Sequence, residues 1–506
     1  MVFYLFSNQE MAAMGKIDLD TLKSHLWESA NILRGSIDAS DYKNYIFGML
    51  FLKRLSDVFD EERDRLKKEK HVDLNDSDNY SFSVPEKAHW SYLKTLTQNL
   101  GEAINTANDA LEEANLETLE GVLSTVDFND KDRLPDVTLS ALITHFSKIK
   151  LANRNLENPD ILGDAYEYLI AQFADDAGKK GGEFYTPKEV VSLLVEILDP
   201  QERMRVCDPA CGSGGMLVQS VHHLRESGQD PRNISLYGQE RNIGTWAICK
   251  MNMLLHGLSS ARLEKGDTLR GPRLIGERGR LIEFDIVIAN PPFSLKNWGY
   301  EEAQHDSHRR FRFGVPPKGY GDYAFVQHMI ATLNPKGRAG VVLPHGVLFR
   351  GGAEGRIRKG ILEEDLLEAI IGLPSNLFFG AGIPACLFII NKDKPKKRKG
   401  KVFFLYGAND YLKGKNQNKL RKEDIEKIIN AYREYKTIKK YCKPVSLDEI
   451  RANDHNLNIT RYIDITEEEE PIDVQDVLRQ LKELKKERSD VEKKMNRFLK
   501  ELGFQV

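Results

Sequence analysis

From residue 17 to residue 170 the apolar positions recur at helical spacing, as at Tyr42, Tyr45, Ile46, Met49, Leu50, Leu52, Lys53 and Leu55, and no convincing strand interrupts them. The polar stretch His71 to Asp78 predicts a loop between helices. From about Gly181 to Lys392 the pattern changes to short apolar runs bounded by turn residues. These alternate with helical stretches such as Met216 to Arg225 and Tyr323 to Leu333, which predicts a sheet with crossover helices. The run Lys392 to Lys401 reads as a solvated hairpin or linker, with nucleic-acid contact as the alternative. Lys401 to Tyr406 offers one more strand, a polar helical stretch follows from Lys422 to Tyr441, and a long charged helix ends the chain. Along it Val477, Leu481, Leu484, Arg488, Val491, Met495, Phe498 and Leu502 alternate steps of four and three, a heptad seam with one charged interruption. Such a seam either folds back on its own domain or receives a partner helix. Its length, with Lys and Glu on the other faces, favours the partner.

The expected organisation is therefore an extension over 1–16, a helical domain over 17–170, an α/β domain over 171–406 and a helical region over 407–506. At 506 residues, two or three domains are expected, and 41% hydrophobic with 29% charged content indicates a soluble globular protein. No apolar stretch is long enough to cross a bilayer, and Met1 to Phe6 lacks the basic flank and length of a signal peptide. Five dispersed cysteines argue against a disulfide framework and suit a reducing cytosol. Cys207 and Cys211 lack a second ligand pair, so they read as core thiols, and no metal site is expected. A net charge of −3 would be unusual for a chain holding a polyanion such as nucleic acid on its own, and if this one does, its surface charge needs explaining. Either the basic surface is local or another chain supplies it.

Chemistry concentrates at four predicted strand ends. Arg205 to Met216 reads as a strand, then a glycine-rich turn through Asp208, Ala210, Gly212, Ser213 and Gly214 opening a helix, where backbone amides can face a ligand. Ile234 to Glu240 reads as a second strand ending in Glu240, suited to ribose hydroxyls. Ala261 to Thr268 reads as a third ending in Asp267, placed to accept from an adenine amino group. Phe284 to Ala289 reads as a buried strand ejecting Asn290, Pro291, Pro292 and Phe293. That tip is either a strand-ending turn or a holder for a flipped base, with the Asn290 oxygen and Pro291 carbonyl facing one amino group and Phe293 stacking. Downstream, Arg309, Arg310 and Arg312 interleave with Phe311 and Phe313 ahead of Lys318. This reads equally as a solvated loop or as a passage for a DNA strand.

Glycine loop, acid, acid and Asn-Pro-Pro-Phe in this order resemble the amino-methylating DNA methyltransferases that use S-adenosylmethionine, and most of all the modification subunit of type I restriction-modification systems. The resemblance extends upstream to Gly182-Glu183-Phe184-Tyr185-Thr186-Pro187, and downstream through Gly321 to Phe325, Gly340 to Phe349, Ile383 to Ile390 and Asn456 to Asp464. It implies a Rossmann-like methyltransferase domain preceded by an α-helical domain and followed by a C-terminal helical region. It further implies S-adenosylmethionine as cofactor, with Glu183, Tyr185, Thr186 and Pro187 lining its methionine end, and adenine in DNA as substrate. The implied assembly has a separate specificity subunit reading the DNA, two modification subunits for each specificity subunit, and a restriction nuclease subunit where one is present. The implied location is cytoplasmic. A stand-alone adenine methylase, a protein-glutamine or RNA methyltransferase and a non-catalytic scaffold remain as alternatives.

Overall fold

Among the described residues nine strands build one mixed sheet in the order β3-β2-β1-β4-β5-β7-β6-β8-β9. They are β1 (Arg205–Asp208), β2 (Ser235–Glu240), β3 (Arg262–Lys265), β4 (Phe284–Ala289), β5 (Leu333–Pro344), β6 (Leu367–Gly372), β7 (Ala385–Asn391), β8 (Lys401–Tyr406) and β9 (Cys442–Ser446). The computed structural model describes residues 16–34, 37, 39–69, 72–158, 160–176, 186–378, 384–414, 417–466 and 474–504. Expectations for the extension before Lys16, and for Glu183, Phe184 and Tyr185, fall outside them.

The longer helices are α1 (Leu19–Leu33), α2 (Ala39–Leu66), α3 (Leu100–Ala114), α4 (Asp136–Phe146), α5 (Ile161–Asp176), α6 (Lys188–Leu198), α7 (Gly215–Glu226), α8 (Ile243–Leu255), α9 (Asp322–Thr332), α10 (Gly352–Glu363), α11 (Lys422–Glu434) and α12 (Val474–Glu501). Strands β1 to β5 pair in parallel, and β7 enters antiparallel between β5 and β6. Alternation along each strand sends successive side chains to opposite faces. Thus Ile286, Ile288 and Val342 join a core with α6, α7 and α11, whereas Val287, Ala289, Val341 and Leu343 join one with α9 and α10. Both faces are covered, which is why the central strands read as continuous apolar runs.

The helical domain packs α1 to α5 around its own core, which also takes in Trp246, Ile248 and Met251 of α8. Tyr166 on α5 donates its hydroxyl to the Ile248 carbonyl at 3.0 Å. The N-terminal helices are thereby seated on the α/β layer and close one side of the site.

Two segments depart from expectation. Lys392 to Lys401 joins β7 to β8, but Lys394 is buried with Asp365 as its partner and Arg398 pairs with the buried Glu368, so this charge run is partly a structural clamp. Beyond Tyr406, where only helix was expected, β9 adds an edge strand antiparallel to β8. The C-terminal residues Asp464–Val506 form a separate unit containing α12. Its seam positions Val477, Leu481, Leu484, Val491, Met495, Phe498 and Leu502 are all exposed.

Candidate active site

Reversal of strand order between β1 and β4 opens a crevice at their carboxyl ends, where doubly wound sheets place ligands. Both chemical motifs emerge there. After β1 the chain turns through Gly212 and Gly214, at φ +53° and +86°, and enters α7 directly. A Cβ on Gly214 would lie 2.8 Å from the Cys249 sulfur, so the turn needs glycine for conformation and for space. Cys211 and Cys249 are both buried, their sulfurs 3.8 Å apart, and all five cysteines are free and buried as expected of core thiols.

A cavity of about 360 Å³ lies in the crevice. Of the residues singled out in the sequence, Thr186, Asp208, Ala210, Gly212, Ser213 and Asn290 line it. Pro187 caps α6 behind Thr186, and Gly214 caps α7. Asn290 is fixed by its own amide: Nδ2 donates to the Thr186 hydroxyl at 2.9 Å, and the buried Oδ1 has no hydrogen-bond partner among the described residues. An unpartnered buried acceptor is costly unless a ligand supplies the donor. Phe293 is half-buried and meets Phe378 edge-on at 5.8 Å. The tip is braced from behind, since the Ser294 amide donates to Asp322 at 2.9 Å and Arg350 donates to the same carboxylate at 3.0 Å. Asp322 and Arg350 escaped sequence reasoning as parts of this site; only their place in the segments Gly321 to Phe325 and after Phe349 hinted at them.

Glu240 and Asp267 end adjacent strands outside the cavity lining. Glu240 accepts from the Gly212 amide at 3.0 Å and from the Asn242 amide at 2.8 Å, tying the glycine loop to β2. Burial raises its pKa against those donated bonds. Asp267 spends one oxygen on the Leu269 and Arg270 amides at 3.0 and 3.1 Å, and the other lies near Arg241 and Arg270. Both Glu240 oxygens thus hold loop amides, and a diol would share them. Glu240→Gln keeps one acceptor oxygen but loses a charged contact to a diol, and calorimetry is expected to show S-adenosylmethionine binding weakened by roughly 1.5–3 kcal/mol. Unchanged affinity would place the ribose elsewhere.

Asp208 is buried at the end of β1 and accepts from the Ala210 amide at 3.0 Å. Burial pushes its pKa up to about 8, the Ala210 bond opposes the shift and the charge on Glu240 adds to it. With the folded-state pKa above the unfolded one of about 3.9, its stabilising contribution is complete below about pH 4 and is lost as pH rises through about 8. Asp208→Asn is therefore expected to flatten the fall in melting temperature between about pH 5 and 8, measured on the ligand-free chain. A parallel fall in both proteins would refute the buried-acid assignment.

The arginine-aromatic stretch is corrected in part. Arg310 is buried: its guanidinium donates to the Thr268 and Leu269 carbonyls at 2.9 and 2.8 Å and to Asp306 at 2.9 Å, so it is a strut and not a DNA contact. Phe311 is also buried, with Trp298. Arg309, Arg312 and Lys318 are exposed, the last two in surface ion pairs with Glu364 and Glu301. Among the described residues one group with metal-ligand spacing occurs, His25, Glu28 and His145 of the helical domain. The two imidazoles stack with ring centroids 3.9 Å apart, and His145 Nε2 is engaged by the His25 carbonyl at 2.8 Å.

The opposite cavity wall comes from the helical domain. Leu19, Lys23, Asp164, Glu167, Tyr168, Ile170 and Ala171 line it, and none carried a recognisable signal in the sequence.

The profile of the N-6 DNA Methylase family matches residues 157–471, and that of the HsdM N-terminal domain matches residues 22–146. The MjaVIII methylase subunit of a type I restriction enzyme from Methanocaldococcus jannaschii is 36% identical over 93% of this chain and 83% of its own length. The HindI methylase subunit from Haemophilus influenzae is 34% identical over 76% of this chain and 91% of its own. The crystal structure of a type I restriction-modification methyltransferase subunit from Streptococcus thermophilus superposes with a TM-score of 0.78 at 34% identity, covering 88% of this chain and all of that one. The strand-end motifs, the crevice they share and these matches lead to one conclusion: the chain belongs to the N-6 DNA methylase family, among the methylase subunits of type I restriction enzymes.

Proposed function

We propose that the chain transfers a methyl group from S-adenosylmethionine to the exocyclic amino group of adenine in DNA, as a modification subunit whose target sequence is chosen by a specificity subunit. The observation that carries this reading is the Asn290 oxygen, buried, unpartnered and held beside the cavity by Thr186. The acids Asp164, Glu167 and Asp208 in the cavity lining suit a ligand that carries cationic groups. When bound, that cofactor supplies a methyl group already activated by a sulfonium, so the protein has to orient and stabilise, not create a strong nucleophile.

Adenine's amino nitrogen is a poor nucleophile because its lone pair is delocalised into the ring. Asn290 Oδ1 and the Pro291 carbonyl accept its two N–H groups, favouring rehybridisation and stabilising the positive charge that develops on nitrogen. Thr186 keeps the amide from turning its nitrogen toward the base. Phe293, steadied by Phe378, stacks on the base and offsets part of the unstacking cost of a few kcal/mol. Asn290 is no base, so the nitrogen sheds a proton only after the C–N bond has formed. Arg309, Arg312 and Lys318 remain candidates for the DNA backbone, because exposed ion pairs are weak and exchange readily for phosphate.

Sequence choice is assigned to a partner because the chain carries a net negative charge and α12 presents an unpaired apolar seam. The resemblance to type I systems implies two such chains for each specificity subunit, joined by a nuclease subunit where one is encoded, and working in the cytoplasm. No helix among the described residues is long and apolar enough to cross a membrane. Transfer of tritiated methyl to duplex DNA, with the labelled nucleoside identified by chromatography, tests the reaction. N6-methyldeoxyadenosine is the expected product; label in cytosine or in protein would overturn the assignment.

A further inference from the structure

Helix α5 has two working faces. Ile161, Leu162, Ala165, Tyr166, Leu169, Ile170 and Phe173 enter the core of the helical domain. Asp164, Glu167, Tyr168 and Ala171, spaced three, four and seven residues from the first, form a second stripe lining the cavity. Acids on such a stripe would ordinarily face water. Here Glu167 packs against the start of α7, its carboxylate 3.9 Å from where a Cβ on Gly215 would stand. Asn252, which donates to the Ser213 carbonyl at 3.0 Å, favours the charged form of this carboxylate, so Glu167 stands beside the residue that holds the glycine loop. Lys188 at the start of α6 lies near enough to favour the charged form without making an ion pair with it among the described residues, yet burial raises the acid to about 7. A carboxylate held this way is expensive without a cationic partner.

The orientation of a bound cofactor follows from Asn290 on the cavity wall and from the expected roles of Glu240 and Asp267, outside the lining at the ends of β2 and β3. The reacting methyl must face Asn290, and the adenosine must run toward the ends of β2 and β3, where Glu240 and Asp267 lie. The amino-acid end is left facing α5. Resting on the methyl-transfer reading above, we propose that helix α5, which packs into the core of the helical domain, supplies the subsite for the cofactor's amino-acid end, with Glu167 accepting from its α-ammonium group. Helix α5, which opens the N-6 DNA Methylase match while packing on the N-terminal helices, is then part of the cofactor site, and the cofactor bridges it to the α/β layer.

The test pairs a change in the protein with a change in the ligand, read by calorimetry on the full chain with S-adenosylhomocysteine and its analogue lacking the α-amino group. In the wild-type chain, removing the amino group should weaken binding about ten- to hundredfold, as expected for a charge-assisted hydrogen bond. In Glu167→Gln the two ligands should bind almost equally, near the wild-type affinity for the truncated one. If the amino group matters as much in Glu167→Gln as in the wild type, the ammonium is held elsewhere and the proposal is wrong. Equal binding of both ligands by the wild type would also refute it. Should Glu167→Gln fail to fold, judged by its melting curve, Glu167→Asp keeps the charge on a shorter arm; an intermediate penalty supports the proposal and the full wild-type penalty opposes it. A wild-type chain that binds neither ligand sinks the methyl-transfer reading itself, whereas the outcomes above bear on Glu167 alone.

Discussion

Asn290→Ala is expected to lower methyl transfer by about 10³-fold, the scale of losing one preorganised group that stabilises developing charge. Cofactor affinity should stay within about threefold of wild type, because the lost contact is to the base and acts in the transition state. The fold should not suffer either. Asn290 Oδ1 is unpartnered and buried, so its removal eliminates an unsatisfied acceptor at the cost of one bond to Thr186. An equal or raised melting temperature together with lost activity is the signature of a group kept for chemistry. Full activity in the variant would remove Asn290 from the mechanism.

Comparable in size is the effect expected at the C-terminal seam. Leu484 and Val491 are 61% and 64% exposed, so Leu484→Glu with Val491→Glu should leave the melting temperature and cofactor binding of the isolated chain unchanged. Against a specificity subunit the same two carboxylates would be buried without partners, a penalty of several kcal/mol for each ion. Co-elution of the two chains on size exclusion should therefore be lost in the double variant. Persistence of the complex would show that α12 is not the docking element.

The parts of this site visible in the sequence are those whose local pattern is itself the function. Glycines at 212 and 214 are demanded by positive φ, and Asn290 to Phe293 follow an apolar run that can only be a buried strand. Glu167 was invisible because helical periodicity reports which residues face a core but cannot tell an acid facing water from one facing a second domain. Arg310 misled for a related reason: in Arg309-Arg310-Phe311-Arg312-Phe313 the charges look alike, and only the fold shows that one guanidinium turns inward to two carbonyls. Strand β9 was hidden by Pro444, a residue that sheets admit chiefly at an edge, which is where β9 lies. Lys394 hid within a charge run because its partner Asp365 is distant in sequence.

The central claim, that this chain methylates adenine at a sequence selected by a partner, is tested most directly in a host lacking adenine methylation. The chain is expressed alone and with the candidate specificity subunit, and genomic DNA is sequenced for N6-methyladenine. One defined sequence should be methylated when both chains are present and unmethylated with either alone, and Asn290→Ala should abolish the signal. Methylation of the same sequence by this chain alone, or none with both chains present, would contradict the account.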